Sequence, residues 1–404
     1  MLSGGTFPVL SKQKKGIYMS EKYKDTGLRP EERAKSLLEE MGLEEKMGQV
    51  NCVFPFDRVC FDYDYISEQT KYGIGEVSTL EMRRMETLEE AAAWQRKVQE
   101  IVMANSEHHI PAIFHMEGLC GAFIQDATSF PSGIGWASSF DTGLEEKIAE
   151  IVSRQEAACG ITHVLAPVLD ISRDSRMGRQ GETYGEDPVL ASAMGTAYTR
   201  GIQKGETAGR RTESVAKHFL AFHNSEGGIH GANSMTPERT LEEIYGKPFQ
   251  AAITESNLRG IMPCYCTLNG EPVSASRTIL TKLLREEMGF DGLVSADYCS
   301  ISEIHDRQRL CESVTEAGSR ALEAGVDMEL PSKRSYNEEL GSWFAQGKLD
   351  IALLDRAVFH ILTEKYRMGL FENPYGLFGQ ELQECFHQEK DSDICLHTAL
   401  KSMV

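Results

Sequence analysis

The sequence predicts an α/β fold, a closed (β/α)₈ barrel. Three observations carry that expectation. Short apolar runs bounded by Gly, Pro or polar residues alternate with helical patterns along the chain. About eight such units occur, the number that closes a parallel sheet on itself. Polar and ionisable residues fall just after the apolar runs, at the rim where a barrel carries its site.

The candidate strands, in order, are residues 47–53, 73–79, 111–115, 163–168, 214–219, 260–266, 292–296 and 326–330. Between them lie helical stretches. Leu144, Ile148, Ile151 and Val152 share one face, with Asp141 or Thr142 as N-cap and Gly160 as the stop. Ser276 opens a second helix, which turns Ile279, Leu280, Leu283, Leu284 and Met288 inward. Pro237-Glu238 starts a third that runs to about Ser256. An open doubly wound sheet is the alternative. No GxGxxG follows a first strand and no GxxxxGK[ST] occurs, so nucleotide binding has little support.

Length and charge narrow the function. The chain has 404 residues, 41% hydrophobic and 25% charged, which suits one large domain or two modest ones. A formal net charge of −19 disfavours partners that need a basic surface: a nucleic-acid backbone or an anionic membrane. No apolar run approaches the length of a spanning helix. Residues 1–25 read as a polar arm without the apolar stretch of a secretory signal. The ten cysteines are scattered without a CxxC pair, which points to reduced thiols in a cytoplasm. Cys264-x-Cys266 is only a faint metal hint, and His108-His109 lacks the HExxH spacing of a zinc helix.

The rim residues carry the chemistry. Glu117 follows PAIFHM; Asp170, Arg173, Asp174, Arg176 and Arg179 follow HVLAPV. Lys217 and His218 end SVA, Tyr265 ends GIMPC, and Asp297 ends GLVSA. Asp297 closes an apolar run, so its carboxylate is partly desolvated yet open to a cleft, which suits nucleophilic attack. Its bland reading is a cap for the next helix. Lys217-His218 reads either as a donor pair or as one buried ion pair beside a satisfied core histidine. The Arg173–Asp187 charge cluster reads mostly as a salt-bridged loop with one arginine reaching a ligand. Jointly these residues describe a cleft for a neutral polyhydroxylated ligand, a sugar, whose hydrolysis needs two carboxyl groups or an equivalent pair.

The motif order resembles the N-terminal barrel of glycoside hydrolase family 3, the β-glucosidase and β-xylosidase family. It rests on RPEERAKSLLEEMGLEEKMGQV, PAIFHMEGLCG, ATSFPSGIGWASSFD and LAPVLDISRDSRMGRQGETYGEDPVL. It continues through SVAKHF, PERTLEEIYGKPF, IMPCYCTLNGEP and LREEMGFDGLVSADY. The resemblance implies a retaining glycosidase whose covalent intermediate forms on Asp297. Glu117, Arg179, Lys217 and His218 would grip the sugar, and Tyr265 would sit beside the nucleophile. It implies a β-linked oligosaccharide or an aryl or alkyl β-glycoside as substrate, with no metal or organic cofactor.

Glu117 stands where many members have Asp, Cys120 where His is frequent, and Tyr298 where Trp is frequent, the last affecting the sugar platform. The expected domains are the arm at 1–25, the barrel at 26–370, and at 371–404 a linker with the start of a truncated second, α/β-sandwich domain. That second domain carries the acid/base in most of the family, so here it is expected in trans, from a separately encoded domain. Two other readings stand beside this one. One is a catalytically impaired sugar-binding barrel. The other is a single-domain β-N-acetylhexosaminidase using His230, although Gly228 occupies its orienting Asp position and Leu220-Ala221 replace Pro-Gly.

Overall fold

The structure is a computed structural model with described residues 21–403, so most of the arm expected at 1–25 lies outside them. Seven parallel strands run in chain order: β1 Cys52–Val53, β2 Glu76–Ser78, β3 Ile113–Met116, β4 His163–Val164, β5 Glu213–Phe219, β6 Gly260–Pro263 and β7 Leu293–Val294. Adjacent strands pair in parallel throughout, as short buried strands with helical crossovers must. The eighth stave is the segment 326–330. Asp327 N donates to Val294 O and Ala296 N to Met328 O, both at 2.9 Å, and Glu329 N reaches Val50 O at 2.9 Å. Those bonds join the last stave to β7 on one side and to the approach of β1 on the other. The α/β barrel architecture is therefore the one the sequence predicts.

Element edges differ from expectation at two places. Residues 47–49 end a helix, Leu43–Gln49, instead of opening β1. Leu43, Met47 and Val50 fall at helical intervals of four and three, and strand pairing begins only at Cys52. The expected strand 260–266 stops at Pro263; Thr267–Leu268 and Glu271–Pro272 then form a small antiparallel hairpin.

Capping side chains fix the starts of several covering helices. Helix α1 is Leu88–Asn105. Helix α2, Thr142–Ala158, starts where the Asp141 carboxylate accepts from Leu144 N at 3.0 Å. Its inward residues Leu144, Ile148, Ile151 and Val152 are buried. Helix α3, Pro188–Lys204, starts with Asp187 accepting from Val189 N at 2.7 Å and Pro188 in the first turn. Helices α4 Lys247–Ser256, α5 Ser300–Asp306, α6 Val314–Ala324 and α7 Ile351–Arg367 follow. The helix expected after Ser276 spans Thr278–Glu287 with π-type winding.

Beyond α7 the chain lies along α1 and α2. Gln95 Nε2 donates to Pro374 O at 3.0 Å and Leu377 N to Ala158 O at 2.7 Å. The last helix, α8 (Glu389–Lys401), is tied to α2 through Arg154–Asp391 and through Lys401 to the cap Asp141 at 2.6 Å.

One buried acid on α2 has a consequence for stability. Glu145 is fully buried; Tyr184 Oη donates to its Oε1 at 2.6 Å, and its Oε2 has no partner. Burial pushes this carboxyl up to about 8 despite the Tyr184 bond. The unfolded chain loses that proton near pH 4.5. The stability contributed by the neutral carboxyl is thus fully present below that pH and is lost as pH rises toward 8. Thermal melts at pH 5 and pH 8.5 should show the parent losing several degrees more than Glu145→Gln. Equal losses in the two proteins would contradict the assignment.

Candidate active site

The strand ends gather the residues singled out in the sequence. Glu117 follows β3, Lys217 and His218 lie among the last three residues of β5, Tyr265 follows β6, and Asp297 follows β7. The loop after β3 turns sharply because Gly118 and Gly121 allow it. A Cβ on Gly118 would meet Tyr198 Oη at 2.8 Å, and one on Gly121 would meet Thr128 O at 2.1 Å, with φ at +108°.

Asp297 is 8% exposed, with its side chain 11% exposed: partly desolvated but not sealed. Its Oδ1 accepts from Tyr265 Oη and from Tyr298 N, each at 2.7 Å. Its Oδ2 has no hydrogen-bond partner and lies 3.4 Å from His218 Nε2. The helix-cap reading does not describe these contacts, because the carboxylate is held by a phenol and by its neighbour's backbone.

The other residues converge on the same point. Lys217 Nζ donates to Glu117 Oε2 at 2.6 Å, a pair with the lysine 3% and the glutamate 28% exposed. Arg179 makes a two-pronged pair with Glu182 at 2.7 and 2.8 Å, and its Nη2 lies 3.3 Å from His218 Nε2. The guanidinium also lies 5.3 Å from the Phe222 ring. His218 Nδ1 lies 2.7 Å from Asp170 Oδ2, and both residues are buried.

The electrostatics fix proton positions. Burial pushes His218 well below its usual range, outweighing the pull of Asp297. Burial raises Asp170 to about 6, against the opposing charges of His223 and Arg179. At neutral pH the Asp170 carboxylate can only accept, so the neutral imidazole carries its proton on Nδ1. Its Nε2 then presents a lone pair toward Asp297 Oδ2 and takes the Arg179 hydrogen bond. The imidazole therefore does not neutralise Oδ2. Tyr265 is held protonated, its phenol raised by burial and by Asp297, so it donates to Oδ1.

Arg173 and Arg176 take no part. Arg173 is exposed, and Arg176 pairs with Asp174 at 2.6 Å with 67% of its side chain exposed. That half of the charge cluster is the salt-bridged loop the sequence allowed. His230 lies on the rim with its ring 4.6 Å from the Tyr265 ring and 5.2 Å from Phe222. Among the described residues no carboxylate hydrogen-bonds to it. Tyr298 turns its hydroxyl to Ser78 and His115 at 2.9 and 2.8 Å.

Two parts of the cluster are half visible in the sequence. Asp170 reads there as a strand-end acid without its partner, and Glu182 only as a member of a charge run. His108, which reads as an ordinary loop residue, lies at the opposite end of the barrel, its Nδ1 2.6 Å from Glu45.

A parallel barrel with carboxylates, a lysine, an arginine and a neutral histidine at the C-terminal strand ends defines the class, an α/β barrel with a polar cleft, and the chain belongs to glycoside hydrolase family 3. The profile of the Glycosyl hydrolase family 3 N terminal domain matches residues 42–364. The chain is 33% identical over 310 residues to a beta-xylosidase of Formosa agariphila, covering 72% of this chain and 43% of that protein. It is 33% identical over 286 residues to a periplasmic beta-glucosidase of Salmonella typhimurium, covering 70% and 36%. A β-glucosidase structure from Erythrobacter marinus superposes with a TM-score of 0.89 at 29% identity, over 95% of this chain and 51% of that one. A β-glucosidase from Listeria innocua, solved also with glucose and, as a mutant, with laminaribiose, gives 0.81 at 26%, over 92% and 51%. The chain thus spans about half the length, or less, of these relatives. No helix among the described residues is long and apolar enough to cross a membrane.

Proposed function

We propose that the chain is the nucleophile-bearing barrel of a retaining β-glycosidase acting on terminal β-D-glucosyl or β-D-xylosyl residues. The carrying observation is the asymmetry of Asp297. Two donors hold Oδ1, while Oδ2 faces a lone pair and keeps its own electrons for attack on an anomeric carbon. The bond that forms joins Oδ2 to that carbon; the bond that breaks releases the leaving-group oxygen, which must gain a proton. Glu117 and Lys217 accept from and donate to sugar hydroxyls, and Arg179 and His218 do the same on the other side. Neither a metal nor an organic cofactor enters this scheme.

The acid is assigned to a group outside this barrel, because the carboxylates around Asp297 are engaged in ion pairs. Glu117 pairs with Lys217, Glu182 with Arg179, Asp170 with His218, and Glu303 with Arg307. The names of the relatives support a β-linked substrate. The cysteine usage supports a reducing cytoplasm as the setting.

A leaving-group series tests this. General acid assistance is worth about 10²–10⁴-fold. The isolated chain should therefore turn over dinitrophenyl β-glycosides and fail with methyl β-glycosides, with rates falling steeply as leaving-group pKa rises. A flat dependence would place an acid within the chain and contradict the assignment. Sugar binding without turnover of any member would favour the impaired barrel, and turnover of aryl N-acetylglucosaminides lost in His230→Ala would favour the hexosaminidase.

A further inference from the structure

Beneath Asp297 lies a group of polar side chains that the proposed chemistry does not use. Glu76 on β2, His115 on β3 and His163 on β4 are at most 1% exposed, as is Ser78 at the end of β2. Glu76 Oε1 lies 2.9 Å from His115 Nδ1 and 2.8 Å from His163 Nδ1. His115 Nε2 lies 2.8 Å from Tyr298 Oη, which lies 2.9 Å from Ser78 Oγ.

The donors can be assigned. Burial works to raise Glu76, but His163 and His115 outweigh it and hold the carboxyl down at about 2. A carboxylate has no proton to give, so both imidazoles donate through Nδ1. The other ring nitrogen of His115, Nε2, is hydrogen-bonded to the Tyr298 hydroxyl. The same hydroxyl shares a hydrogen bond with Ser78 Oγ. Burying such groups is costly, and although Glu76 Oε2 and His163 Nε2 have no partner, the bonds that are made fix the orientation of the side chains they join.

The orientation that matters is that of Tyr298. Its backbone N–H donates to Asp297 Oδ1 at 2.7 Å, and its carbonyl lies 3.0 Å from Tyr265 Oη, the other donor to that oxygen. We propose that Tyr298 is a positioning residue, anchored by Ser78 and the buried His115–Glu76–His163 chain, that holds Oδ1 of Asp297 so that Oδ2 attacks in line. This rests on the reading of Asp297 as nucleophile.

The test measures inactivation by dinitrophenyl 2-deoxy-2-fluoro-β-glucoside and the corresponding xyloside, which need no acid, as separate kinact and Ki. The parent is the control: if it takes no label on Asp297, the nucleophile reading itself fails. With the parent labelled, Tyr298→Phe should lower kinact roughly tenfold or more, as loss of a positioning hydrogen bond does, with Ki within about twofold. Ser78→Ala, a small change in case the first variant does not fold, should lower kinact about threefold or more. The double variant should be no slower than Tyr298→Phe, since both act through one hydroxyl. Values of kinact within about twofold of the parent in either variant, a loss confined to Ki, or fully multiplicative effects would overturn the proposal.

Discussion

Replacing Asp297 with Asn is expected to lower turnover of a dinitrophenyl β-glycoside by about 10⁴-fold or more, the scale on which removal of a covalent nucleophile is felt. An amide nitrogen cannot attack, and an amide oxygen is a poor nucleophile. The fold should survive, because Oδ1 keeps both donors, Tyr265 and Tyr298, on the isosteric side chain. Sugar binding should persist through Lys217, Glu117 and Arg179. Melting temperature and titration of sugar binding check these two points beside the rate. A rate within about tenfold of the parent would remove Asp297 from the chemistry.

The second large effect is expected at Asp170. This carboxylate touches no ligand in the proposed scheme, yet it determines which nitrogen of His218 carries the proton. Asparagine can present its NH₂ to Nδ1. The proton then moves to Nε2, where it faces Asp297 Oδ2 at 3.4 Å and withdraws the electron pair needed for attack. An analogous wrong tautomer costs a serine-protease triad about 10⁴-fold. Here, where the histidine is a neighbour of the nucleophile and not its base, a loss of about 10²-fold in kcat is expected, with a smaller change in KM. Asp170 lies at about 6, so its carboxylate is present above that pH and protonates below it. The parent should therefore lose activity as pH falls through about 6, and Asp170→Asn should lack that limb. A variant with an unchanged acid limb would show that another group sets it.

Most of this cluster is legible from the chain alone because a barrel places residues after its strands at one rim. Glu117, Lys217, His218, Tyr265 and Asp297 each follow an apolar run directly. What stays hidden is pairing across long separations. Ser78 and Tyr298 are 220 residues apart, and His115 and Tyr298 are 183 apart. Glu76 and the two histidines occupy strand interiors, where polar residues read as exceptions and not as a network. The family resemblance assigns the Tyr298 position to the sugar platform, a role for the ring that says nothing of the hydroxyl's partners. The start of the first strand is misread for a local reason: Met47–Gln49 complete a helix that ends just before β1 opens at Cys52, so the two elements read as one apolar stretch.

The most direct measurement is the intact mass of the chain after incubation with activated 2-fluoro β-glucoside and β-xyloside, followed by sequencing of the modified peptide. The account predicts one sugar per chain, carried on Asp297 and absent from Asp297→Asn. Saturable sugar binding without any mass increase, or a label carried by a different residue, would contradict it.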